Sequence, residues 1–380
     1  MKYYYRKKHI MWLLFLFDVI VGSIYKFIRL ILFKKPTAFP AIANNILVIR
    51  LDHLGDVLYL LPPLAYLRKQ YPQAKITLLV APWGEEIVRG NPNVNEIIVF
   101  NTPWFQRGRR KWNWGELWQL ILRLRRNKYD LALDFKGFLW NIFFLFATGA
   151  KYKVSYDDVG GAFLVEKALP RDPTLHILQQ NINFLRSIGI DCAGKLVVEV
   201  PIRDLHRQKV KEIIETMHFD PKNMIAIHCG SGRPVEAWPV HKMNLLIEQL
   251  FVRYPQYEVV LVGGETDKSF TRQLVFGKRA PVDLIGKTSI LELAAFLERC
   301  KLFIGNNSGP AHFAALMHIP TIVIFSIKGY PAQWRPWGDN VICLQKKAHE
   351  FRAFSDKEII DSLEEISIDD VLEEVRAIIG

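Results

Sequence analysis

Cysteine is scarce and scattered. Only Cys192, Cys229, Cys300 and Cys343 occur in 380 residues. None forms a CxxC pair and the spacings are wide, which excludes a zinc framework or a small disulfide scaffold. A reducing cytosol is the simplest setting for such a chain. No GxGxxG follows the first strand-like run, which argues against a nicotinamide oxidoreductase. No DxD pair is placed to chelate a divalent metal on a nucleotide sugar, so no metal is expected. No uninterrupted apolar run reaches the roughly 20 residues of a membrane span. The longest in the N-terminal region, Ile10–Phe17, ends at Asp18. A generally basic surface is missing too. The formal charge is +12, but residues 1–40 carry eight Lys and Arg against one acid, Asp18, a net +7. The remainder is only mildly basic, so a nucleic-acid partner is not indicated.

What is present describes a folded chain. It is 50% hydrophobic, 12% aromatic and 23% charged, a globular composition. Its length suits two domains. The segment 1–40 stands apart. At 100° per residue, Asp18, Gly22, Lys26 and Arg29 fall within about 80° of one another, one narrow polar stripe on a greasy helix. Such a helix lies in a membrane interface, with Lys and Arg reaching anionic headgroups. A spanning helix, a cleaved signal peptide and a helix packed on the protein body compete with that reading. Tyr3–Tyr5 and Trp12 beside the basic cluster favour the membrane surface, and Pro36 and Pro40 mark a linker.

Beyond the linker, strand-like runs alternate with helical patterns. Asn45–Leu51, Lys75–Val80, Val94–Phe100 and Asp130–Asp134 read as strands, with a helix over Val57–Gln70 interrupted at Pro62-Pro63. The pattern restarts at Met224–His228, Glu258–Val262, Leu302–Gly305 and Thr321–Phe325. The alternation predicts an α/β chain of two Rossmann-like domains, over 41–200 and 201–380. Ligands of such sheets bind beyond the carboxyl ends of the strands, so the loops there carry the chemistry.

The first of these loops is Asp52-His53-Leu54-Gly55-Asp56. Asp56 reads either as a helix N-cap or as a carboxylate at the mouth of a cleft, placed to take a proton from an attacking hydroxyl. Cys229-Gly230-Ser231-Gly232-Arg233 brings backbone N–H groups and a guanidinium near an anion, although a plain turn has the same look. Gly263-Gly264-Glu265-Thr266 offers an acid for ribose hydroxyls or only a turn. Asn306-Asn307-Ser308-Gly309-Pro310-Ala311-His312 is the richest. Pro310 suits the first turn of a helix, whose N–H groups with Ser308 and Gly309 suit a diphosphate. His312 is a phosphate or sugar ligand, or a structural histidine.

Several blocks in this order resemble the lipopolysaccharide heptosyltransferases, glycosyltransferase family nine. They are ILVIRLDHLGDVLYLLPPLAYLRKQYPQAKITLLV, YDLALDFKG, AWPVHKMNLLIEQL, VVLVGGETD and LIGKTSILELAAFLERCKLFIGNNSGPAHFAALMHIPTIVIF. The similarity runs from about Asn45 to Cys343. It implies a GT-B fold, two Rossmann-like domains facing across a cleft, and an inverting, metal-independent transfer from a nucleotide sugar such as ADP-heptose, with no cofactor. It implies Asp56 as catalytic base in an N-terminal acceptor domain. Ser231, Gly232, Arg233, Glu265, Lys287, Asn307, Ser308, Gly309 and His312 then bind the donor in the C-terminal domain.

Two positions depart from the family. A lysine usually lies two residues before the Trp of the Trp-Pro pair, where it neutralises the leaving diphosphate; here that residue is Glu236. Arg233 or Lys242 are the substitutes at hand. The frequent Asp before Ser-Gly is Asn307. These changes motivate a second reading, a catalytically silent nucleotide-sugar-binding relative or membrane scaffold, against which Asp56 argues.

On the acceptor side, Trp104–Lys128 is basic and aromatic. It reads as a solvated face or as a contact for a lipid-linked glycan or anionic leaflet, with Arg107, Arg109, Arg110 and Lys111 at its centre. The implied partners are a nucleotide sugar, a lipopolysaccharide core or similar lipid-linked glycan, and the cytoplasmic face of a bacterial inner membrane.

Overall fold

The computed structural model describes residues 8–31, 38–102, 113–194, 196–217, 219, 222–347 and 352–380. The chain divides into two compact units, Met1–Val198 and Glu199–Gly380.

The first unit begins with a long helix, α1 (Lys8–Ile31). Its sheet comprises β1 (Asn45–Arg50), β2 (Lys75–Val80), β3 (Glu96–Val99), β4 (Leu131–Asp134), β5 (Tyr152–Tyr156) and β6 (Lys167–Leu169). Between the strands run α2 (Leu54–Leu58), α3 (Leu61–Gln70), α4 (Pro82–Val88), α5 (Trp114–Arg126) and α6 (Leu139–Ala147), and α7 (Ile177–Ser187) follows. The order β3-β2-β1-β4-β5-β6 is parallel throughout.

The second unit repeats the plan. After α8 (Asp204–Met217) come β7 (Met224–His228), α9 (Val240–Arg253), β8 (Glu258–Leu261), α10 (Lys268–Thr271), β9 (Val282–Asp283) and α11 (Ile290–Leu297). Then follow β10 (Leu302–Asn306), α12 (Gly309–Leu316), β11 (Thr321–Ile324), α13 (Pro331–Trp334), β12 (Val341–Leu344), α14 (Asp356–Glu364) and α15 (Ile368–Ile379). Its order, β12-β11-β10-β7-β8-β9, is the same winding read from the other edge. In each unit the strand order reverses beside the first strand, between β1 and β4 and between β7 and β10. These are the switch points where doubly wound sheets bind ligands.

The central strands are buried from end to end because helices cover both faces. Hence they read as continuous apolar runs rather than alternating ones. The helix expected over Val57–Gln70 is two helices, α2 and α3. The break falls at Tyr59–Leu60, and the prolines occupy the first turn of α3, where a missing N–H costs nothing. The expected strand Val94–Phe100 shortens to Glu96–Val99.

α1 lies on its own unit. Leu14 packs over Gly160, Phe17 meets Phe143 and Phe163, and the Gly161 N–H donates to Asp18 Oδ1 at 2.7 Å. Asp18 and Gly22 of the expected stripe therefore face the protein, whereas Lys26 is exposed among mostly apolar outward side chains, so α1 packs on the body, one of the alternatives above. A burying surface needs close approach, and Gly22 supplies it against Phe163. No described helix is long and apolar enough to cross a membrane.

Gly84, inside α4, shows how tightly the first sheet is covered. A Cβ there would lie 2.7 Å from Val80 and 2.9 Å from Val57. Gly84→Ala gains about 1 kcal/mol of helix propensity but overpacks at a cost of about 1–3 kcal/mol. Urea denaturation should therefore show a net loss of stability, where an uncrowded helix would show a gain.

Candidate active site

At the switch point of the first unit a buried arginine organises the loop. Arg50 closes β1 and is fully buried. Its Nη1 donates to the Phe135 carbonyl at 2.7 Å and its Nη2 to Asp56 Oδ1 at 2.9 Å. Its Nε sits 2.9 Å from Asp52 Oδ1, an ion pair not aligned for a hydrogen bond. From the loop after β4, Lys136 Nζ lies 3.1 Å from Asp52 Oδ2 and 3.9 Å from Asp56 Oδ2. Asp134 shapes that loop. Its carboxylate accepts from the Lys136 and Gly137 N–H groups, Asn141 and Ser155.

Asp56 is not the N-cap of α2. His53 holds that position, and Asp56 lies in the first turn with its side chain on Arg50. The two neighbouring carboxylates are pushed apart. Burial raises Asp52 above the usual range against the pull of Arg50. Burial also works on Asp56, but Lys136, Arg50 and His53 outweigh it and hold this carboxyl below the usual range. Such a split assigns different protonation roles to adjacent acids. Asp56 is the one kept ionised.

In the second unit three loops converge on His228, the last residue of β7. Ser308 Oγ lies 2.9 Å from His228 Nδ1, and Asp267 Oδ2 lies 3.2 Å from His228 Nε2. Asp267 also accepts from the Gly264 N–H at 2.8 Å. Ser308 precedes α12 as its N-cap residue, yet its side chain does not cap the helix. Asn306 staples the next loop. Its Nδ2 donates to the Cys229 and Gly230 carbonyls, both at 3.0 Å, and its Oδ1 accepts from the Trp238 N–H at 2.8 Å. Ser231, Gly232 and the start of α12 are thereby held beyond adjacent strands, with Asn307 and Gly309 partly exposed and His312 largely buried. Cys229 heads this loop, and burial pushes its thiol up to about 12, which removes it as a nucleophile at neutral pH.

Glu236 is not an isolated negative charge beside this loop. Its Oε1 accepts from Arg233 Nη1 at 3.1 Å and is also paired with Lys328, from the loop after β11. Arg233 reaches Asp356 as well, at 2.8 Å. Lys242 is committed elsewhere, to the carbonyls of Glu364 and Ile366 at the end of α14. It is not the substitute cation. Glu265 is exposed and pairs with Lys268 at 2.7 Å, and Lys287 Nζ donates to the Asp283 carbonyl at 2.7 Å. Those two lie on neighbouring loops, with the Glu265 backbone against Gly286. Arg107, Arg109, Arg110 and Lys111 lie outside the described residues. Among the described residues no group of three or more His, Cys, Asp or Glu is placed to hold a metal.

Sequence reasoning missed Lys136, Lys328, His228, Asp267 and the stapling role of Asn306. Lys136 and Lys328 follow strands that neighbour the central one only through the sheet order. That order was the signal available.

Residues 117–363 match the model of glycosyltransferase family 9 (heptosyltransferase). The chain belongs to this family. It is therefore a glycosyltransferase. It is 28% identical over 299 residues to lipopolysaccharide heptosyltransferase 3 of Escherichia coli, covering 76% of this chain and 85% of the relative. A family 9 glycosyl transferase from Veillonella parvula has a similar structure, with TM-score 0.72, 21% identity, and 90% of this chain and 99% of that chain covered. So has the E. coli ADP-heptose lps heptosyltransferase II, with TM-score 0.67, 21% identity, and 88% and 98% covered. The family 9 fold, two Rossmann-like units of the GT-B class, is thus shared.

Removing Arg50 leaves Asp52 and Asp56 buried with Lys136 as their remaining common cation. Breaking one partner of a buried pair costs about 3–5 kcal/mol, so Arg50→Met should lower the unfolding free energy by about that amount in urea. A change below about 1 kcal/mol would mean the pair contributes little.

Proposed function

We propose that this family 9 enzyme transfers a heptose or related sugar from a nucleoside-diphosphate donor, ADP-heptose first among them, to a lipopolysaccharide core or similar lipid-linked glycan, with inversion and without a metal. The observation that carries the reading is Asp56, buried at a switch point yet held ionised between Arg50 and Lys136.

In this mechanism Asp56 accepts the proton of the acceptor hydroxyl while its oxygen attacks the anomeric carbon. The new C–O bond forms as the bond from that carbon to the diphosphate breaks, and the electron pair leaves with the diphosphate. Attack opposite the leaving group inverts the centre. The departing nucleoside diphosphate gains negative charge, which needs donors already in place. Ser231, Gly232, Ser308, Gly309 and the N-terminus of α12 supply dipoles there, and His312 lies in the first turn of the same helix. Glu265 takes ribose hydroxyls, and Asn307 and Lys287 border the donor.

The cation usual at position 236 is supplied by Arg233 and Lys328. Glu236 pairs with both, so its negative charge is neutralised, and Arg233 is shared with Asp356. This reading answers the objection that Glu236 repels the donor, and it favours a turnover-competent enzyme over a silent relative.

Full-length protein, a panel of nucleotide sugars and a lipid-core acceptor test the proposal. Turnover should occur with one donor and fall by about 10²–10⁴-fold in Asp56→Ala, with donor affinity nearly unchanged. Lys328→Ala should instead weaken donor affinity by about tenfold. Undiminished turnover in Asp56→Ala would remove the base from the mechanism.

A further inference from the structure

The outward side of α1 is an exposed apolar surface. Trp12, Leu16, Ile20, Ile24, Phe27 and Ile31 are each between 46% and 66% exposed. Such a surface on a soluble face marks an interaction site. The helix is locked in this orientation from within. Asp18 is held by the Gly161 N–H, Leu14 sits over Gly160, and Tyr25 packs against Phe146 and Phe163. The one acid of residues 1–40 is thus turned toward the protein, and no carboxylate lies on the outer face.

The surface continues onto neighbouring helices. Trp140 touches Phe143, which touches Phe17 of α1. On α5, Trp114, Trp118 and Leu122 recur every four residues, a single exposed stripe. Exposed Arg125 and Arg126 follow at its end, and the buried side of α5, through Leu120 and Leu124, joins the same apolar cluster as Tyr25.

We infer that α1, with the aromatic stripe of α5 and Trp140, is a preformed membrane-docking face that lies in the interface of an anionic bilayer while α1 remains attached to its own unit. Three features select lipid over another protein. Among the described side chains of α1, the exposed ones are apolar save for Ser23 and Lys26, which suits acyl chains. Tryptophans border the surface, where headgroups meet hydrocarbon. Residues 1–40 carry net +7, which attracts an anionic leaflet but sets two copies of this chain against each other. The inward stripe argues for a helix lying flat, because a spanning helix would have to release Asp18 and Tyr25 from the body. The inference is independent of the sugar-transfer reading.

The test is co-sedimentation of full-length protein with vesicles of phosphatidylglycerol and phosphatidylethanolamine, and with phosphatidylcholine alone. Binding to the anionic vesicles should be at least about tenfold tighter than to phosphatidylcholine. The triple variant Leu16→Ser, Ile20→Ser, Phe27→Ser should lose on the order of 100-fold in partitioning with an unchanged circular dichroism spectrum. Trp114→Ser with Trp118→Ser, on a different helix, provides a second variant should the first fail to fold, and should lose about tenfold. Failure of the native protein to bind anionic vesicles would overturn the inference. So would unchanged binding in a folded variant, or a dimer in light scattering that the triple substitution dissociates without any vesicle binding.

Discussion

One buried guanidinium underlies the chemistry of the first unit. Arg50 ends the central strand at the point where the sheet order reverses, and it has no water to solvate it. It must therefore be surrounded by acceptors. Phe135, just after β4, Asp56 and Asn181 accept from it, and Asp52 pairs with it by charge. The requirement ties two crossover loops together and brings Lys136 onto the same acids. A charge cluster of this kind is weak as a source of net stability, but it specifies one geometry and one protonation state. Lys136 and Arg50 keep Asp56 charged despite burial, which by itself favours the neutral acid.

The second unit solves a different problem with the same winding. There the proposed donor contacts are backbone N–H groups, whose positions depend on loops rather than on one side chain. Asn306 and His228 supply the rigidity. Asn306 joins the loop after β7 to Trp238, itself buried with its indole N–H on the Ile366 carbonyl. His228 links Ser308 to Asp267. The Trp-Pro block thus acts through the core, and its tryptophan is a packing residue. The charge next to this loop is set by a cluster of four side chains, Glu236, Arg233, Lys328 and Asp356. A single residue two positions before that tryptophan does not describe it.

Much of this was legible in the sequence because parallel strands covered on both faces leave continuous apolar runs. NILVIR, MIAIH and LFIGN are all of that kind, and the loops after them held Asp56, Ser231 and Ser308. The short outer strands were not legible. YKVSY, KAL and VD carry polar residues and lie at or near sheet edges, where pattern and burial diverge. The orientation of α1 was beyond reach for a related reason. A helix with one polar stripe presents that stripe either to water or to a partner, and only the Gly160–Gly161 loop, more than a hundred residues away, decides between them. Lys328 was missed because it meets Glu236 across 92 positions, by a route that runs through the sheet order.

The central claim is that Asp56 stays ionised because Lys136 and Arg50 face it. The measurement that tests it most directly is the pH dependence of kcat/KM for the native enzyme and for Lys136→Met. A carboxyl held below its usual range remains ionised down to its depressed pKa, so the native profile should show no acid limb from Asp56 above about pH 5. Removing a cation about 4 Å away should raise that pKa by roughly 1 unit or more and bring an acid limb to higher pH, and Asp56→Asn should abolish it. A profile that Lys136→Met leaves in place, or an acid limb that survives in Asp56→Asn, would contradict the account.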